Sequence, residues 1–281
     1  MRQLACAALA GLVLCCLAPS ANAVEVAGDG WRVLYNLPDG SSFRGFSDDE
    51  FELRNVLIDR LKQLGARDEA TLTTFTFSGN ETGAGRLMYE MDQALERGAK
   101  IRFITDRKED IEEKFSNNSD RKPRSLKDLE ANKRFTLAVD PSDGGIMHHK
   151  FALFDYSGSG MNAGRKILVT SSFNLTGASS FQWNVSLELV QDTLYNAFRQ
   201  EAEEMIAGRF HRDPKKSHVH DNRLVPLDGG TARAHRVRNC GRSATCSRRV
   251  CVRRKRRSSS RSISSPTTNS RKPWWPPPNA A

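Results

Sequence analysis

The stretch Met147-His148-His149-Lys150-Phe151-Ala152-Leu153-Phe154-Asp155, followed after a glycine-bearing interval by Ile167-Leu168-Val169-Thr170-Ser171-Ser172-Phe173-Asn174, decides how the chain is read. Both runs are short, apolar and rich in β-branched or aromatic residues, so they predict strands at 147–154 and 167–173. Gly158, Gly160 and Gly164 between them fit an extended hairpin. A strand sends alternate side chains to opposite faces. His148 and Lys150 therefore share one face and His149 takes the other, and Ser172 and Asn174 share a face in the same way.

Outward from this pair, the chain alternates strands with helices. Residues 31–35, 71–77, 100–105, 135–139 and 185–190 read as strands. Leu53, Val56, Leu57, Leu61 and Leu64 recur at helical period up to Gly65, behind a capping-box spacing at Ser47-Asp48-Asp49-Glu50. Residues 86–97 and 193–207 are further helices, and the charged segment 106–134 carries short helices around Pro123. This alternation predicts an α/β fold with its sheet covered on both faces. The chain shows no internal repeat of the unit.

At 281 residues and 38% hydrophobic composition the chain can bury a sizeable core, which excludes a disordered or small disulfide-stapled protein. Its net charge of +10 is unevenly placed. Residues 231–281 hold 14 Lys and Arg and no acid, while residues 24–230 hold 28 basic against 33 acidic residues. The body is thus mildly acidic, and no global field draws it to polyanions.

The N-terminal 23 residues have an Arg2 start, an apolar run from Leu4 to Leu17 and an Ala21-Asn22-Ala23 end, the pattern of a cleaved secretory signal peptide. Cys6, Cys15 and Cys16 leave with it, and Cys240, Cys246 and Cys251 lie in the basic end, so the 24–230 body has no cysteine and relies on packing. The expected localisation is secreted or periplasmic. From about residue 231, Arg, Ser and Pro accumulate up to Trp274-Trp275-Pro276-Pro277-Pro278, which predicts a disordered tail. A phosphate- or membrane-binding arm, or a frameshifted reading of the coding DNA, would give the same composition.

The chemistry concentrates in the motif strands. An imidazole beside a fixed ammonium suits phosphoryl transfer, because Lys150 neutralises nonbridging oxygens while neutral His148 attacks phosphorus. Ser172 and Asn174 can donate hydrogen bonds to the same oxygens. Asp155 lies seven residues from His148, at opposite parity, which marks it as structural. The carboxylate that orients the His148 ring is expected at Glu188, where Val185, Leu187 and Leu189 alternate with Ser186 and Glu188. The other reading of Glu188 is an exposed acid on an edge strand. His211, His218 and His220 have no lysine at motif spacing and read as solvated loop residues.

His148-x-Lys150-x4-Asp155 followed by Ser172-x-Asn174 resembles the phospholipase D superfamily signature, and the likeness extends over about residues 30–208. The resemblance implies an α/β/α sandwich with a mixed β-sheet, phosphodiester substrates, a phosphohistidine intermediate and no metal or cofactor. It puts His148, Lys150 and Asp155 in the catalytic motif, with Lys150, Ser172 and Asn174 binding phosphate and Glu188 as orienter.

Such chemistry needs two histidines, and this chain has one motif. Single-motif members pair two chains about a twofold axis, so the resemblance implies a homodimer in which two copies of His148 face one phosphate. Ser171 stands where the family commonly has glycine, adding volume near the phosphate. Asn174-Leu175-Thr176 is also a glycosylation sequon, whose use would block the site. The function expected first is an exported phosphodiesterase acting on phospholipid head groups, with peripheral membrane contact. An endonuclease using the same residues on nucleic acid and a catalytically silent binding protein are the alternatives.

Overall fold

The computed structural model describes residues 23–36, 52–78, 84–106, 125–141, 145–158, 162–176, 179, 182, 184–211, 225–227, 230–236 and 248–254. The capping-box residues 47–50, most of the signal segment, His218 and His220 lie outside them.

Thirteen strands and four helices are described, in the order β1 (Ala23–Gly28), β2 (Trp31–Asn36), α1 (Glu52–Lys62), β3 (Glu69–Thr74), β4 (Phe77–Ser78), α2 (Arg86–Glu96), β5 (Lys100–Thr105), α3 (Leu126–Leu129), β6 (Phe135–Val139), β7 (Phe151–Asp155), β8 (Lys166–Ser171), β9 (Leu175–Thr176), β10 (Asn184–Leu189), α4 (Asp192–Ile206), β11 (Val225–Leu227), β12 (Gly230–Arg236) and β13 (Arg248–Arg254). Eight strands form one sheet in the order β1-β2-β10-β8-β7-β3-β5-β6. β3, β5 and β6 run parallel, and the remaining neighbours are antiparallel, so the sheet is mixed.

Two apolar layers flank the sheet, as the pattern of alternating helices requires. On one face Leu53, Ile58 and Leu61 of α1 and Leu87, Met91 and Leu95 of α2 pack against Leu72, Phe103 and Val169. On the other, Leu194, Phe198 and Met205 of α4 cover Ile104, Leu153 and Leu187. The α/β/α sandwich expected from the sequence is therefore the fold observed. No helix among the described residues is long and apolar enough to cross a membrane.

Three differences from the sequence reading affect the site or its surroundings. The ladder of the motif strand begins at Phe151, not at residue 147, because Thr73 is the last residue of β3 that it pairs with. The Thr73 hydroxyl takes up the Phe151 N–H at 2.9 Å and donates to the Phe151 carbonyl at 3.0 Å. Residues 145–150 then cross the carboxyl ends of the parallel strands outside any ladder, with the Met147 N–H held by the Asp106 carboxylate just past β5.

Residues 71–77 likewise break after Thr74, so that Phe75 lies in a bend at the exit of β3. The tail boundary expected at 231 is crossed by a three-stranded sheet, β11-β12-β13. Alternation of small apolar with polar residues at Thr231-Ala232-Arg233-Ala234-His235 and Arg249-Val250-Cys251-Val252-Arg253 suits paired strands, and Ala232 is fully buried in the α4 layer. β1 was not predicted. Its turn signal is Asp29-Gly30, with Gly30 at φ +73°, a left-handed position that glycine takes without steric cost.

Candidate active site

Antiparallel pairing starts β7 where β3 ends, which brings the motif to the carboxyl edge of the parallel strands, where α/β sheets hold ligands. The side chains of His148 and Lys150 lie together there, with His148 Nε2 2.9 Å from Lys150 Nζ. An ammonium has no lone pair, so Lys150 donates and the Nε2 of a neutral imidazole accepts, which leaves the ring proton on Nδ1. Burial lowers the His148 pKa from 6.5 to about 4, helped by the charge of Lys150 and by His149. Burial likewise lowers Lys150 from 10.5 to about 8. At neutral pH the site thus pairs an uncharged imidazole with a charged, poorly hydrated ammonium.

Phe75 completes this cluster. Its ring centroid is 4.9 Å from that of His148, tilted by 55°, and lies 5.6 Å from Lys150 Nζ. His149 points to the opposite face, as parity predicts. It is buried, 3.4 Å from Glu201 of α4 and edge-on to Phe151.

Of the phosphate ligands expected from β8 and the turn after it, neither Ser172 nor Asn174 hydrogen-bonds to His148 or Lys150 among the described residues. Phe151 pairs with Thr170, so the residue opposite Lys150 is Ser171. The Ser171 N–H donates to the Lys150 carbonyl at 2.9 Å, and Ser171, Ser186 and Lys150 line a small cavity of about 20 Å³ above Leu57, Leu72 and Phe173. The Ser172 hydroxyl is exposed and ties the end of β8 to β10, donating to Asn184 Oδ1 at 2.9 Å and accepting from the Val185 N–H at 3.0 Å. Asn174 Oδ1 is buried without a hydrogen-bond partner among the described residues, so this carboxamide keeps bonding capacity in reserve.

The extra hydroxyl of Ser171 is absorbed by the protein. It accepts from Ser186 Oγ at 2.7 Å and from the Phe173 N–H at 2.9 Å, and donates to the Val185 carbonyl at 3.2 Å. Phe75 and Ser186 are the site residues the sequence reading missed, and Ser171, read there only as a bulkier stand-in for the family's glycine, is the residue that faces Lys150. The register of β7 against β8 is the signal that would have found Ser171.

Three assignments from the sequence are corrected. Glu188 does not orient His148. Its buried carboxylate is gripped by Arg60 at 2.6 and 2.9 Å and by Arg32 at 3.1 and 3.2 Å, and the Nδ1 of His148 meets no acceptor among the described residues. Asp155, placed in the motif by resemblance, sits at the far end of β7, where it accepts from the Ser157 hydroxyl at 2.7 Å. That is the structural role its parity predicted. His211 is also not a free loop residue. It bonds the buried Asp140 carboxylate and lies against Gly145, where an added Cβ would meet the ring at 3.2 Å.

Residues 57–206, just over half of the chain, match the family described as "Cardiolipin synthase, PLD-like domain", and the chain belongs to this phospholipase D-like domain family, whose fold is that of phosphodiesterases. No curated protein matches the chain. Similar solved structures include NucT from Helicobacter pylori, at 14% identity over 57% of this chain and 91% of that one, with a TM-score of 0.41. Nuc from Salmonella typhimurium, a phospholipase D family member, is 18% identical over 63% of this chain and 94% of its own, with a TM-score of 0.40. The phosphatidylserine synthase of Haemophilus influenzae Rd KW20 is 11% identical over 66% of this chain and 39% of that one, at a TM-score of 0.40.

Proposed function

We propose that the protein is an exported phosphodiesterase of the phospholipase D type that hydrolyses the head-group bond of phospholipids through a phosphohistidine. The observation that carries this reading is the neutral His148 ring 2.9 Å from the Lys150 ammonium. An incoming phosphodiester takes the hydrogen bond of Lys150 onto a nonbridging oxygen, which frees the Nε2 lone pair to face phosphorus. The N–P bond forms as the P–O bond to the leaving alcohol breaks, and the alkoxide takes a proton from a second imidazole that the negative charge of the bound phosphodiester holds in its protonated form, leaving that ring neutral. Water then gives a proton to that imidazole and attacks phosphorus, releasing neutral His148 and a phosphate monoester.

The second imidazole is His148 of another copy, brought in about a twofold axis. His149 does not serve, because it faces Glu201 on the other side of the motif. The lipid reading is supported by the apolar setting of the site, with Phe75 at the motif and leucines beneath Lys150. The neighbouring arginines Arg32 and Arg60 are engaged by Glu188, whereas binding a polyanion recruits cations to the groove.

The nuclease reading rests on a different observation. β12 and β13 carry six arginines on two paired strands, and such a ribbon would suit a nucleic-acid backbone. Hydrolysis of bis(4-nitrophenyl) phosphate with and without chelator, followed by competition with phosphatidylcholine vesicles and with single-stranded DNA, separates the readings. Inhibition by vesicles alone supports the lipid enzyme, inhibition by DNA alone the nuclease, and absence of hydrolysis a silent binding protein.

A further inference from the structure

We propose that Phe75 is a positioning residue for the nucleophile, a wall that holds His148 and Lys150 at hydrogen-bonding distance and keeps water from one side of both. This inference rests on the phosphohistidine reading. Three distances carry it: the Phe75 ring is 4.9 Å from the His148 ring, its centroid is 5.6 Å from Lys150 Nζ, and the two polar groups are 2.9 Å apart. One ring therefore touches both members of the pair.

The backbone explains why a ring is placed there. Residues 145–149 run outside the ladder, and the bond from the Ser171 N–H to the Lys150 carbonyl holds the backbone without bounding the side chains of His148 and Lys150. A lysine stem has four rotatable carbons and leaves its partner readily unless something bounds it. β3 supplies that bound by ending at Thr74 and turning Phe75 toward the motif, while Thr73 anchors Phe151 next door. The ring's face attracts the ammonium, and its tilt against the imidazole leaves the Nε2 edge directed at Lys150.

Desolvation is the largest cause of the low His148 pKa, and the charged or titratable groups that act on the ring are Lys150 and His149, both on its own segment. Phe75, which reaches it from the exit of β3, carries no charge. The ring of Phe75 can therefore tune the imidazole by excluding water and by holding the Lys150 ammonium beside it.

The experiment compares the full-length protein with Phe75→Ala and Phe75→Tyr. Its two readouts are NMR titration of the His148 ring, assigned with His148→Gln, and the pH profile of kcat/KM on bis(4-nitrophenyl) phosphate. In Phe75→Ala the titration midpoint and the acid limb rise together by about one pH unit or more toward 6.5, and kcat/KM at pH 7 falls roughly tenfold. Phe75→Tyr restores both. An unmoved midpoint in folded Phe75→Ala, or a tyrosine variant that behaves like the alanine one, overturns the proposal. Should Phe75→Ala not fold, Phe75→Leu carries the test, with a smaller rise of the same sign expected and no rise contradicting it. If the wild-type protein hydrolyses no phosphodiester, the titration still decides the role of Phe75 and the failure falls on the proposed function alone.

Discussion

The carboxylate of Glu188 is bound by the guanidinium of Arg60 through two hydrogen bonds, at 2.6 and 2.9 Å, across 128 residues of sequence. The pair joins β10 to α1, and Arg32 of β2 closes it from the other side. It makes Glu188 part of the scaffold that supports the motif rather than part of the reaction.

Replacing Glu188 by Gln leaves two arginines facing a neutral amide in a largely buried place. The cost is about 2–3 kcal/mol, discounted from that of a fully buried pair because Arg32 keeps some solvent contact. Denaturant unfolding should show the loss, while activity per folded molecule stays within a few-fold of wild type. A drop of a hundredfold at unchanged stability would instead make Glu188 the orienter of the histidine.

The pH dependence of activity follows from the two shifted groups. On bis(4-nitrophenyl) phosphate, whose phenolate leaves without needing a proton, the attacking His148 must be neutral and Lys150 charged to bind phosphate, so kcat/KM should rise through a limb near pH 4 and fall through one near pH 8. The same shift has a stability consequence. The folded pKa of His148 lies below its unfolded value of 6.5, so between about pH 4 and 6.5 the unfolded chain binds more protons and stability increases with pH. In that window His148→Gln should flatten the slope of unfolding free energy against pH, and an unchanged slope would count against a buried neutral imidazole.

Ser171→Gly tests whether this serine obstructs the phosphate. Its hydroxyl makes three hydrogen bonds within the chain, so removing it should cost roughly 1–2 kcal/mol of stability. kcat/KM should not increase. A clear gain in kcat/KM would show that the hydroxyl intrudes on the substrate.

The second imidazole can be traced by mixing inactive His148→Ala chains with wild type. If two copies share one site, only pairs of intact chains work, and activity follows the square of the wild-type fraction. A linear dependence, or the mass of a single chain in an active gel-filtration peak, would show that each chain is complete in itself.

What the sequence disclosed and what it hid divide along physical lines. The facing of His148 and Lys150 was legible because parity is local, and it survives although residues 147–150 lie outside the ladder. α1, α2 and α4 were legible because helical period repeats over several turns. Ser171 was not. It differs from Ser172 by one residue, and a one-residue change of register exchanges the two faces of a strand. Glu188 had the right alternation but not the right partners, since Arg32 and Arg60 lie 156 and 128 residues away and no spacing rule reaches so far. The pairing of His211 with Asp140 and the approach of Phe75 to the motif are likewise products of strand order, which periodicity does not encode.

The most direct measurement is of the covalent intermediate itself. A phosphodiester labelled on the retained phosphoryl group, mixed with full-length protein and quenched within milliseconds in alkaline denaturant, should leave a stable phosphoramidate, and peptide mapping should place it on His148. Label on Ser172 or another hydroxyl, or hydrolysis that proceeds with His148→Ala and leaves no labelled protein, would contradict the account.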